Sequence, residues 1–251
     1  MFFFITAFIM VTIAIAALLL APQLEERRVV FDAQPDRPCA FGPDMAWLAI
    51  RAGDPVAVMS ALGIESAQAS NWNSGLGTIY DSNLGQRRVF VSAPVDGWIF
   101  VVSSALPHRH GRAFLDKCTP FLTELSERFG EVQYFAAFPD VDMFAWAKLV
   151  SGRFIRAFAV GDEGVVWDRG RTTREERTLG LRLFELRGVR GRRGDAGGEL
   201  LMHPTREHVM RLAGAWSVNP TLLDSSKAAP SRGYVAPIPS CWMPERLRKS
   251  A

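Results

Sequence analysis

Two stretches decide the fold: RVFVSAPVDGWIFVVSS at 88–104 and MFAWAKLVSGRFIRAFAV at 143–160. Each sets two apolar segments around a two-residue turn, Asp96-Gly97 in the first and Ser151-Gly152 in the second. Asp-Gly supplies the positive backbone dihedrals of a tight antiparallel connection, so the pattern predicts β-hairpins. Counting outward from Asp96-Gly97 places Val89, Val91, Ala93 and Val95 beside Trp98, Phe100, Val102 and Ser104 on one face. Counting outward from Ser151-Gly152 pairs Val150 with Arg153 and Met143 with Val160. Met143, Ala145, Ala147 and Leu149 then share a face with Phe154, Arg156, Phe158 and Val160. Arg156 is the lone cation in that apolar row. An unpaired buried charge is costly, so Arg156 is expected either to pair with a carboxylate such as Asp140 or Asp142 or to reach the sheet edge. The functional reading makes it the anchor for an acidic group on a partner or substrate.

The surrounding chain supplies further elements. Ala46–Ile50 is a short apolar run that reads as a buried strand. Asp54-Pro55 caps and opens a helix through Leu62, which Gly63 closes. Residues 64–86, with scattered Asn and Gly, read as irregular. Phe121, Leu122, Leu125 and Phe129 form the apolar stripe of a helix after Thr119-Pro120, and a strand follows at 132–138. Val165–Trp167 reads as another strand, and the Thr-x-x-Glu pattern at 172–176 as a capping box. A late helix runs from Pro204 to Trp216. Hairpins and helices in mixed order predict an α+β fold: a mainly antiparallel sheet built around the two hairpins, with helices on one face.

One transmembrane helix is expected to precede that domain. Phe2–Ala21 carries no charge, and twenty helical residues reach about 30 Å, the thickness of a bilayer core. Its n-region lacks positive charge and Leu18-Leu19-Leu20 occupies the place of a small-residue cleavage site, so it reads as an uncleaved anchor rather than a signal peptide. Arg27, Arg28 and Arg37 follow it, so the positive-inside rule places the C-terminal domain in the cytoplasm at a bacterial inner membrane. The expected organisation is an anchor at 1–22, a linker at 23–43, a globular domain at 44–224 and a mobile Pro/Ser/basic tail at 225–251.

Composition narrows the function without naming it. The chain has 251 residues, 48% of them hydrophobic, which excludes a wholly disordered protein. Of its 29 basic residues only Lys117, Lys148, Lys227 and Lys249 are lysine, a bias that fits the codon usage of a GC-rich bacterial genome. No zinc-finger spacing or long basic helix is present, so no nucleic-acid partner is expected. Three scattered cysteines do not make a disulfide framework, although a Cys39–Cys241 bridge is conceivable in an oxidising compartment. The chain contains neither Gly-x-Ser-x-Gly nor a Walker phosphate loop. His203 and His208 lie five residues apart, which separates them by about 140° around a helix and spoils a zinc-protease pair. The candidate metal set is His108 and His110 with Asp140 and Asp142, alternate residues whose imidazole and carboxylate groups suit a divalent ion. Two functions follow as expectations. The first is a membrane-anchored domain that binds another protein without catalysis and without a cofactor, for example one of the immunity type. The alternative is a membrane-anchored metal-dependent hydrolase using those four residues.

Overall fold

The computed structural model describes residues 30–107, 116–187, 203–225 and 227–242, together with Met10, Thr12 and Ile15, which are helical. The chain divides into two compact units, Met1–Phe31 and Asp32–Ala251. The anchor segment therefore lies almost wholly outside the described residues. Among those that are described, no helix is long and apolar enough to cross a membrane.

The second unit is an α+β fold on one nine-stranded sheet. In chain order the strands are β1 (Met45–Arg51), β2 (Gln68–Asn71), β3 (Arg88–Val91), β4 (Trp98–Val102), β5 (Glu131–Phe138), β6 (Met143–Val150), β7 (Arg153–Gly161), β8 (Gly164–Gly170) and β9 (Arg232–Pro237). Their spatial order is β2-β9-β3-β4-β1-β5-β6-β7-β8, and every neighbouring pair is antiparallel. The helices are α1 (Pro55–Ala61), α2 (Trp72–Tyr80), α3 (Cys118–Phe129), α4 (Arg174–Thr178) and α5 (Arg206–Trp216).

The helices cover both faces, not one. Ala46, Leu48 and Ile50 of β1 join Val58 and Met59 of α1 and Leu122 and Leu125 of α3 in one core. On the other face Trp47 stacks on Phe135, which meets Trp216 of α5, while Phe90 meets Trp72 of α2. The physical sign of two-sided burial is in the strands themselves: β4 is WIFVV, buried at every position, with no polar alternation.

Both hairpin turns form where the dipeptides place them, but each register slips by one residue a short way out. Asp96 and Gly97 both have positive φ, 51° and 82°, as a type I′ turn requires. Val95 pairs with Trp98, yet Phe90 then lies opposite Val102 and Val91 opposite Val101. Pro94 interrupts the ladder because it has no N–H to donate. Val89 and Val91 consequently face the core with Ile99 and Val101, not with Phe100 and Val102. Replacing Gly97 with Val should cost more than about 1 kcal/mol, because a β-branched residue is strained at positive φ. Urea unfolding of Gly97→Val checks this; an unchanged midpoint would contradict the turn geometry.

Two segments differ from the sequence expectation. Residues 64–86 are not irregular: they hold β2 and α2, whose start is fixed by Asn71 accepting from the Ser74 N–H and by Asp36 accepting from Trp72 and Asn73. Asp36 thus belongs to the folded unit although it falls in the expected linker, and it also bridges to Ser231. Nor is 225–251 a tail throughout. Arg232–Pro237 is β9, inserted between β2 and β3 with Val235 and Ala236 buried.

α5 carries an unusual cap. Thr205 accepts from the His208 N–H, and the His208 Nδ1 accepts from the Thr205 N–H in return. Burial pushes the His208 pKa down, Glu207 opposes that, and Arg211 reinforces it. Protonation blocks Nδ1 as an acceptor. A lowered folded pKa means the cap's stabilisation is complete above about 6.5, the unfolded value, and is lost as pH falls through the lowered one. Thermal melts between pH 7 and pH 5 should show this loss, and His208→Gln, which accepts without titrating, should remove it.

Candidate functional site: a polar row and an arginine edge

The second hairpin sets up the site through one bulge. Val150 pairs with Arg153 and Leu149 with Phe154, as the turn dictates. Lys148 then pairs with Arg156, leaving Ile155 as the extra residue. Gly170 makes room for it, since a Cβ there would run into the Ile155 carbonyl. The bulge turns Arg156 onto the opposite face from Phe154. The row on that face reads Gln133–Lys148–Arg156–Gly170 across β5 to β8. Arg156 therefore does not share a face with Met143, Ala145, Ala147 and Leu149; it lies with Phe144, Trp146 and Phe158.

α4 closes over this row. Arg156 is only 1% exposed. Its Nε donates to both oxygens of Glu176, at 2.8 and 3.0 Å, and its Nη1 donates to Asp168 Oδ1 at 2.6 Å. Glu176 is fully buried and also accepts from the Trp146 indole at 2.8 Å and from the Thr173 N–H at 2.6 Å. The capping-box glutamate of α4 is therefore also the counter-ion of Arg156. Arg187 donates to the outer oxygen of Asp168 through Nε and Nη2. Burial alone would raise the Asp168 pKa, but hydrogen bonds and charge from Arg156 and Arg187 outweigh it and hold the carboxyl below its ordinary value.

At the other end of the row Lys148 meets Glu131 at 2.9 Å and lies over the Trp216 ring. The buried Gln133 amide donates to Glu131 and to the Trp216 carbonyl. Burial raises the Glu131 pKa, but Lys148, Gln133 and Arg51 together bring it below the usual glutamate value. Sequence reasoning passed over Lys148, Gln133 and Glu176, because an unbulged strand puts Ala147 beside Arg156.

Asp140 and Asp142 play a different part. They belong to the turn between β5 and β6, where Asp142 adopts positive φ and donates its N–H to the Pro139 carbonyl. Lys148, opposite Arg156, is six residues along the strand from Asp142, about 20 Å, so neither aspartate is the partner of Arg156. His108 and His110 lie outside the described residues. No group of three or more potential metal ligands occurs among the described residues. Cys39, Cys118 and Cys241 form no disulfide among the described residues, so Cys39 and Cys241 are not bridged.

The charges of the β8–α4 edge are sorted by side. Arg169, Arg171, Arg174, Arg177, Arg182 and Arg187 are all exposed. Of the described carboxylates here, Glu176 turns inward to Arg156, Asp168 bridges Arg156 and the exposed Arg187, and Glu175 is half-buried. Arg187 is held by Asp168, Arg177 donates to the Thr172 carbonyl and Arg169 lies over the Phe154 ring, so the edge carries an excess of guanidinium charge, a group suited to contact with carboxylates. No protein-family model, curated protein or solved structure matches the chain.

Proposed function

We propose that this chain is a single-pass membrane protein whose α+β domain binds an acidic surface on another protein and catalyses no reaction. The observation that supports binding is the arginine edge: six exposed arginines within residues 169–187, of which Arg187 is held by Asp168, with Glu176 consumed internally by Arg156. A field of one sign on one edge steers and orients an oppositely charged partner. Phe2–Ala21 is the proposed anchor, with the domain on the cytoplasmic side of a bacterial inner membrane. An immunity-type protein, held at the membrane to neutralise a toxin, is one architecture of this kind.

Photo-crosslinking in the source cells tests the binding. Benzoylphenylalanine replacing Arg171, on the edge, should trap one discrete acidic protein. The same group replacing exposed Ser60 on α1 should not. Equal adducts from both positions, or none from Arg171, would sink the proposal. The anchor is tested separately: the chain should stay in membranes through an alkaline carbonate wash and lose that retention when residues 1–22 are deleted.

A further inference from the structure

We propose that the groove between α4 and α5 seats an acidic polypeptide segment bearing one bulky apolar side chain. This rests on the reading of the arginine edge as a partner-binding surface and gives that surface its specific pocket. The groove has a volume of about 490 Å³, and its walls include Arg174 and Leu179 on one side and Arg211, Ala215 and Leu222 on the other. That is room for one large side chain and its flanking backbone.

Its chemistry is mixed in a definite way. Among the described residues nothing pairs with the Arg174 guanidinium, and Arg211 has only a loose contact of 4.0 Å with exposed Glu207. Glu175, the acid in the wall, is half-buried, and its carboxyl is held below the usual glutamate value, first by its own backbone N–H and then, against the effect of burial, by Thr173, Trp216 and the charge of Lys148. With Arg174 and Arg211 against that one carboxylate, the groove presents a net positive charge to an incoming acidic segment. Leu222, 62% exposed, and Ala215 offer apolar surface on the same wall as Arg211. A carboxylate-flanked aromatic or aliphatic residue matches both features.

The probe is a fluorescein-labelled octapeptide, Glu-Glu-Asp-Leu-Phe-Glu-Glu-Asp, titrated by anisotropy against the full chain in detergent at physiological salt. Saturable binding is expected below about 1 mM, weakened at least about tenfold by Arg174→Glu/Arg211→Glu. Leu222→Ser, at a position 62% exposed, should weaken it at least about threefold, as should Ser-Ser in place of Leu-Phe. No saturable binding would overturn the inference. So would binding untouched by these changes, or matched by a single-stranded oligonucleotide of equal charge. If the peptide fails while the residue-171 crosslinker still traps an acidic partner, the groove is wrong and the edge stands. If both fail, both are wrong.

Discussion

Glu176→Ala is expected to lower the free energy of unfolding by about 4 kcal/mol or more, and to do so without touching the sheet ladder. Removing one partner of a buried ion pair costs roughly 3–5 kcal/mol because the other charge is left stranded. Here the stranded charge is Arg156, 1% exposed, with only Asp168 and nearby carbonyls remaining. The same change removes the Thr173 cap contact and the acceptor of the Trp146 indole. Arg156→Met leaves Glu176 those two donors and should cost less. The double variant Arg156→Met/Glu176→Gln removes both charges while keeping an acceptor for the cap, and should be more stable than Glu176→Ala. Urea denaturation of the four chains checks the order. With Glu176→Gln measured as the matching single variant, additive effects of Arg156→Met and Glu176→Gln would contradict a direct pair.

Deleting residues 226–251 should abolish cooperative unfolding. The deletion removes β9, after which β2 has no strand partner and β3 keeps only β4. Val235 and Ala236 leave the core with it, and Asp36 loses its bridge to Ser231. A narrower form is Val235→Asp, which places a carboxylate at a fully buried position and should cost at least about 3 kcal/mol. Circular dichroism melts read both. A sharp transition retained by the deletion would show that the sheet does not depend on its ninth strand.

The sequence announced turns more clearly than faces. Asp96-Gly97 and Ser151-Gly152 act locally, through backbone dihedrals that few other residues tolerate, and both sit where they were expected. The registers depend on bulges. A straight count outward from Asp96-Gly97 runs through Pro94, and the room for Ile155 comes from Gly170, fifteen residues away on the next strand. Arg156 was legible as an anomaly because a cation in an apolar row must be answered. Its partners were not, because Glu176 reads in sequence only as the end of a capping box. β2 and α2 were missed for another reason: Gln68–Asn71 has no apolar alternation and α2 contains two glycines. The flanks were discounted for their prolines and charge, yet Asp36 and Arg232–Pro237 are held by partners far along the chain.

The chemistry of the edge follows from that one bulge. With Arg156 turned inward, Asp168 and Glu176 are drawn in after it, and the arginines of β8, α4 and the following turn are left facing solvent. The measurement that tests this most directly is the crosslinking yield from position 171 in a charge-reversed chain, Arg169→Glu/Arg177→Glu. Both residues are exposed, and Arg169 reaches Arg156 only through its backbone carbonyl, which the substitution keeps, so the fold should survive. The acidic adduct should disappear while stability stays within about 1 kcal/mol of the parent. An adduct of undiminished yield from the reversed chain would contradict it.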